Sequence, residues 1–340
     1  MECKLNSIRA NCVYSRDHRQ IEEGAINTER ELHLRKAQVF YDKKKNARIS
    51  TKNSETSVAL AMDYSKNLPL PIVSSNDVYY KRQLSVYLFN IHNLTDNDSC
   101  FFIYDETVAK KGSNDVCSML QLFLNSFVSD SVKHLTLFCD SCGGQNKNYT
   151  VFRFLYYLVN TAKRFQSLHV IYPIRGHSYM ECDKNFSLIN QKSKVYTVDE
   201  WAEVAANSRK TPSPFKVISC LQDTFYDYSS FLSPQFKAKC PVAIQRREFK
   251  VESSHTRQFL YREAYHGPWQ SCVFQGPQNT QNQPLRLERA YAHPLSLKLA
   301  KYNDLQVLKR FVDAKHHKFF DDLPHDRQDN NENDEMSDLE

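Results

Sequence analysis

The segment Leu135-Thr-Leu-Phe-Cys-Asp-Ser-Cys-Gly-Gly-Gln-Asn-Lys-Asn148 constrains the chain more than any other. Its apolar run reads as a buried strand that ends in Asp140. A Gly143-Gly144 turn and a cluster of amide and cationic side chains follow at once. That order sets a carboxylate at the carboxyl end of a strand, beside a turn where backbone can approach a ligand closely. Open α/β sheets put their chemistry at such a place. Of the seven glycines in the chain, Gly143, Gly144 and Gly176 fall near this strand or the next.

The rest of the chain supplies elements around it. Ser57-Val-Ala-Leu-Ala-Met-Asp63, Gln83 to His92 and Cys100 to Glu106 read as three strands, the last two joined by the turn residues Asn93, Asp96 and Asn97. Gly112-Ser113 opens an amphipathic helix with Val116, Met119, Leu120, Phe123 and Phe127 at helical spacing. The strand ending at Asp140 is the fourth, a nearly apolar helix spans Thr150 to Lys163, and Leu168 to Ile174 is the fifth strand, with Pro173 suited to its end. A third helix runs from Glu181 to Gln191. Strand, strand, strand, helix, strand, helix, strand, helix is similar to the ribonuclease H-like fold shared by transposases, integrases and many nucleases. The expected architecture is therefore α/β: a mixed five-stranded sheet flanked by helices over 56–204, with a basic helical arm over 1–55 and a small β-rich unit over 205–274. In the arm, Thr28 and Glu31 have the spacing of a capping box. A polar loop and basic helix cover 275–320, and an acidic tail expected to be disordered covers 321–340.

Charge divides along the same lines. The tail holds nine acids against Arg327, a net of −8, so a chain of +6 leaves +14 on the rest. A basic body is compatible with a polyanionic partner such as DNA. No apolar run is long enough to span a membrane, the start lacks the apolar core of a signal peptide, and ten cysteines in 340 residues do not make a disulfide framework. A nuclear or cytoplasmic protein, not a secreted one, is expected, and a homo-oligomer is compatible with it. Lys43 to Arg48 is the one basic cluster that resembles a nuclear import signal.

In ribonuclease H-like enzymes the first and fourth strands lie side by side, each ends in an acid, and a third acid comes from the last helix. Placed on this chain, that pattern selects Asp63, Asp140 and Asp183 as catalytic, metal-holding carboxylates. Asp105 and Glu106 rival Asp63, and Glu181 rivals Asp183. Like charges about 4 Å apart repel by about 4 kcal/mol at an effective dielectric near 20. Three such carboxylates therefore take up a proton or cations, and two Mg²⁺ (or Mn²⁺) ions are the expected cofactors. Gln145, Asn146, Lys147, Arg175 and His177 are candidates for contact with phosphate or base edges. Taken singly, each acid is as readily a turn or cap residue, and the amide cluster could merely close a turn. A zinc site from Cys142, Cys182 and His177 is a weaker alternative, because no second close cysteine pair completes it.

Four motifs add a resemblance. Asp140 to Asn148, Ile174-Arg-Gly-His-Ser178, Tyr79-Tyr-Lys-Arg-Gln83, and Asp105-Glu-Thr with Lys111-Gly-Ser113 resemble a large family scattered through animal genomes, often in transposon-like contexts. The resemblance runs from about Glu31 to the region of Lys309 to Leu323. It implies a mobile-element origin; other members often carry a cysteine-rich segment upstream, and its expected absence here leaves a separate DNA-binding module in doubt. The expected function is a transposase-derived, divalent-metal-dependent nuclease or strand-transfer protein acting on DNA. The alternative is a domesticated, catalytically inactive protein that binds DNA or another protein. No G-x-G-x-x-G, Walker or G-x-S-x-G motif points to a small-molecule enzyme.

Overall fold

The computed structural model describes residues 16–189, 194–236, 247–273 and 286–327. A long helix, α1 (Arg16–Lys52), leads into β1 (Ser57–Tyr64), β2 (Leu68–Leu70), β3 (Leu84–Asn93) and β4 (Ser99–Asp105). Then come α2 (Ser113–Phe127), β5 (His134–Cys139), α3 (Tyr149–Tyr156, extended by a π turn to Thr161), β6 (Ser167–Ile171) and α4 (Glu181–Ile189). The remaining elements are α5 (Val198–Asn207), β7 (Lys216–Ser219), α6 (Tyr228–Leu232), β8 (Glu248–Glu252), β9 (Gln258–Arg262), β10 (Gln270–Val273), α7 (Leu299–Lys309) and α8 (His317–Asp321).

All ten strands form one mixed sheet in the order β10-β9-β8-β6-β5-β1-β3-β4-β7, with β2 beside β3. The alternation of β1 explains its central place. Val58, Leu60, Met62 and Tyr64 enter one apolar layer, while Ala59 and Ala61 enter the other. A strand apolar on both faces must be covered on both. Val116, Leu120 and Phe154 of α2 and α3, with Tyr228 and Leu232 of α6, cover the first face. Ala37 and Phe40 of α1, Phe186 and Ile189 of α4, Trp201 of α5, Leu305 of α7 and Phe320 of α8 cover the second.

The structure corrects four expectations. Among the described residues the sheet has ten strands, not five, and the segments placed in a separate β-rich unit over 205–274 lengthen it at both edges. There β7 runs parallel to β4, and β8 pairs antiparallel with β6. The edges of a five-stranded sheet would expose unpaired backbone groups, and these strands take them up. Phe249, Val251 and Phe259 extend the first core across the join. Secondly, the amino-terminal helix is no detached arm, because Phe40 is fully buried and packs edge-on against Phe138 at 5.8 Å. Thirdly, α1 begins by Arg16, so Thr28 and Glu31 lie inside it and their spacing marks no helix start. The polar loop over 275–284 and the tail from 328 lie outside the described residues, but 321–327, expected to belong to a disordered tail, are ordered, with Leu323 buried in the second core and His325 bridged to Leu297. Among the described residues, no helix is long and apolar enough to cross a membrane.

Candidate functional site

The register of β1 on β5 brings two acids together. These strands run parallel, with Met62 paired to Cys139. One step further sets Asp63 beside Asp140, on strands about 4.8 Å apart. Alternation then decides the face. Asp63 follows Ala59 and Ala61, Asp140 follows Phe138, and all three apolar residues belong to the second core. Both carboxylates therefore lie at the carboxyl end of the parallel pair, on the face covered by α4.

Helix α4 carries the third. Its Cys182 thiol donates to the Ala61 carbonyl at 3.5 Å, and Asn185 Nδ2 donates to Asn90 Oδ1 and Ser99 Oγ, each at 2.9 Å. These buried bonds hold the first turn of α4 over β1 and β3, where Asp183 Oδ2 accepts the Met180 backbone N–H at 2.7 Å. Asp63 registers the convergence. Burial, then the charges of Asp140 and Asp183, push its carboxyl up to about 8, against the opposing pull of the Tyr64 N–H and Lys111. Asp183 also helps to raise the Tyr41 phenol of α1, after burial.

The rival acids are engaged elsewhere. Asp105 Oδ1 accepts the Thr107 N–H at 2.8 Å and its hydroxyl at 2.5 Å, closing a turn. It pairs with Val86, whereas Asp63 pairs with Asn90, so it sits four residues along and two strands over. Glu106 accepts the Ser85 N–H and is ion-paired to Lys301. Glu181 pairs with Lys44 of α1 at 2.9 Å, and although burial opposes it, that ammonium holds its carboxyl below the usual range.

The turn after β5 divides its labour. Asn148 caps α3 by accepting the Val151 N–H at 3.0 Å and braces the turn through the carbonyls of Gly143 and Gln145. Asn146, fully buried, donates to Asp140 Oδ1 at 2.5 Å, and its own Oδ1 has no hydrogen-bond partner among the described residues. Lys147 is only 4% exposed and lies 4.5 Å from the centre of the Tyr172 ring. Burial, and next the Arg247 guanidinium, lower its ammonium to about 8. Asp140, Lys147, Arg175 and Arg247 line a cleft of about 650 Å³. Gln145 and His177 do not line it. The His177 ring rests 4.9 Å from His33 of α1, and its carbonyl accepts the Tyr41 hydroxyl at 3.2 Å.

The donor chemistry at Asp63, Asp140 and Asp183 fits a hard divalent cation. All are oxygen donors, each has a second carboxylate oxygen without a hydrogen bond among the described residues, and Asp63 bears the cost of crowded negative charge. Even so, among the described residues no three His, Cys, Asp or Glu side chains stand as a ready metal-holding group. This also counts against zinc at Cys142, Cys182 and His177, since the Cys182 thiol is buried against backbone carbonyls.

A family model described as a domain of unknown function (DUF7869) matches residues 80–266. The chain belongs to this family. The matched region holds Asp140, Asp183, the Asn146–Lys147 turn and all three cations of the cleft, whereas Asp63 and α1 precede it. No curated protein and no solved structure matches the chain.

Two site residues are not among the candidates named from the sequence. Arg247 reaches the cleft from 107 positions beyond Asp140, and only the pairing of β8 with β6 brings it there. Lys111 reaches Ser65 O at 2.7 Å and Asn67 Oδ1 at 3.0 Å, next to Asp63. The placement of Lys111 in a Lys-Gly-Ser segment was the only sequence signal for either residue.

Proposed function

We propose that this protein is a transposase-derived, divalent-cation-dependent phosphodiester nuclease or strand-transfer enzyme acting on DNA. The observation that carries the reading is the convergence of Asp63, Asp140 and Asp183, from three distant parts of the chain, at the carboxyl end of β1 and β5. The inner strand order β4-β3-β1-β5-β6, with β3 antiparallel to β1, supports a ribonuclease H-like core. These three acids would hold Mg²⁺ or Mn²⁺, and a pair of such ions supplies an activated water and a stabilised leaving oxygen. The chain's own part is positional. Asn146 fixes the rotamer of Asp140, Asn185 and Cys182 fix α4 and so Asp183, and the basic cleft beside Asp140 receives the strand. A DNA substrate goes with residence in the nucleus, and the resemblance of the Asp140–Asn148 motif to transposon-associated proteins favours a mobile-element origin.

The test is nicking or cleavage of supercoiled and oligonucleotide DNA in Mg²⁺ or Mn²⁺. Asp140→Asn is expected to lower the rate by at least about 100-fold with an unchanged melting temperature. Equal inertness of wild type and variant across varied DNA substrates overturns the enzymatic reading. The second reading, an inactive binding protein, is favoured by one observation: the described acids do not form a ready metal-holding group. It expects DNA binding that Asp140→Asn leaves intact, with no cleavage by either protein.

A further inference from the structure

We infer that Lys147 and Arg247, with Arg175 at the rim, form a phosphate-binding subsite beside Asp140 that works without a metal ion and holds a phosphoryl group of a nucleic-acid strand. The strand's identity rests on the functional reading above, while the anion site stands on its own geometry. Among the described residues, three cations and a single carboxylate line the cleft, and one oxygen of that carboxylate is already taken by Asn146.

Several other enclosed cations are paired with carboxylates. Lys43 and Arg262 meet Glu248, Lys44 meets Glu181, and Lys301 meets Glu106. Lys147 is as enclosed as any of them, yet no carboxylate pairs with it among the described residues. Its ammonium lies on the Tyr172 ring, and the Tyr172 hydroxyl donates to the Asn146 carbonyl at 2.9 Å, so the platform beneath it is fixed. Arg247 is likewise held, through one Nη1 bond to the Pro173 carbonyl at 3.0 Å, while its other side-chain N–H groups have no partner among the described residues. An enclosed cation without a partner is costly, and two beside each other cost more. A phosphate oxyanion removes that cost and suits both donors, a point-charge ammonium and a forked guanidinium. Arg175 stands exposed on the turn whose Gly176 has φ +81°, a left-handed conformation that favours glycine, and it lines the open side of the cleft.

The experiment titrates inorganic phosphate into the full chain in EDTA, by calorimetry and by thermal shift. Wild type is expected to bind saturably. Lys147→Met and Arg247→Gln are expected to weaken binding at least tenfold. Arg175→Gln, at an exposed position that leaves the fold intact, is expected to weaken it three- to tenfold. Arg310→Gln, a surface charge just past α7, is expected to change nothing. Phosphate that does not bind wild type, or binds Lys147→Met and Arg175→Gln as tightly as wild type, overturns the subsite. A single-stranded oligonucleotide is then used to displace the phosphate. Displacement only by a 5′-phosphorylated strand assigns a terminal phosphate, displacement by both forms an internal phosphodiester, and displacement by neither overturns the nucleic-acid assignment. Because the chelator excludes metal-dependent cleavage, loss of nuclease activity and loss of this subsite are read separately.

Discussion

Asp63 sits where two demands oppose each other. A carboxyl raised to about 8 keeps its proton in the folded chain long after the unfolded chain has released it near pH 4. Between those values the native state binds more protons, so stability falls as pH rises through about 4 to 8. In EDTA, wild type is expected to lose on the order of a few kcal/mol across that window, and Asp63→Asn is expected to flatten the loss. Urea melts at pH 5 and 8 measure it, and an equal pH dependence in both proteins counts against the clustered acids. Adding Mg²⁺ at pH 8 is expected to raise the wild-type melting temperature and to leave Asp63→Asn nearly unmoved. The acids themselves were legible in the sequence because each closes an element with a clear pattern. Which of the rivals belong together was not, since Asp105, Glu106 and Glu181 also stand at element ends and differ only in the partners that the fold gives them.

At the scale of elements, α4 depends on a buried polar network more than on its own sequence. Asn185 donates to Asn90 and Ser99, and His92 Nδ1 bonds Ser99 Oγ at 2.6 Å. Asn185→Leu removes its two bonds and leaves the buried Asn90 Oδ1 unpaired, which is expected to cost about 1–3 kcal/mol. If the network positions Asp183, the same variant is expected to lower the turnover of DNA cleavage more than it raises the substrate concentration needed. Burial lowers His92 to about 4. A histidine that stays neutral when folded gives stability that is lost as pH falls from about 6.5 toward 4. His92→Gln is expected to blunt that acid limb in denaturant melts. The strands β1, β3, β4, β5 and β6 were readable from their apolar and β-branched runs. Strand β2 has only three residues around Pro69, too few to show an alternation, and α6 is a five-residue turn.

For the whole molecule, α1 and the late strands are parts of one body. Phe40→Ala is expected to destabilise the protein by about 3–5 kcal/mol, as for other buried aromatics; a loss under about 1 kcal/mol shows α1 to be dispensable. If Lys147, Arg175 and Arg247 all meet phosphates, DNA affinity is expected to fall about 40-fold between about 50 and 200 mM salt, with a shallower slope in Arg247→Gln. The sequence by itself determined the alternation of strands and helices, the acids at their ends, and the turn around Asp140, because these follow from local periodicity and turn chemistry. Only the tertiary structure decided that β7 and β8 extend the central sheet, that α1 belongs to the core, and that Arg247 joins Lys147. Those outcomes depend on strand edges finding partners and apolar faces finding cover between segments far apart in the chain, which no local pattern records.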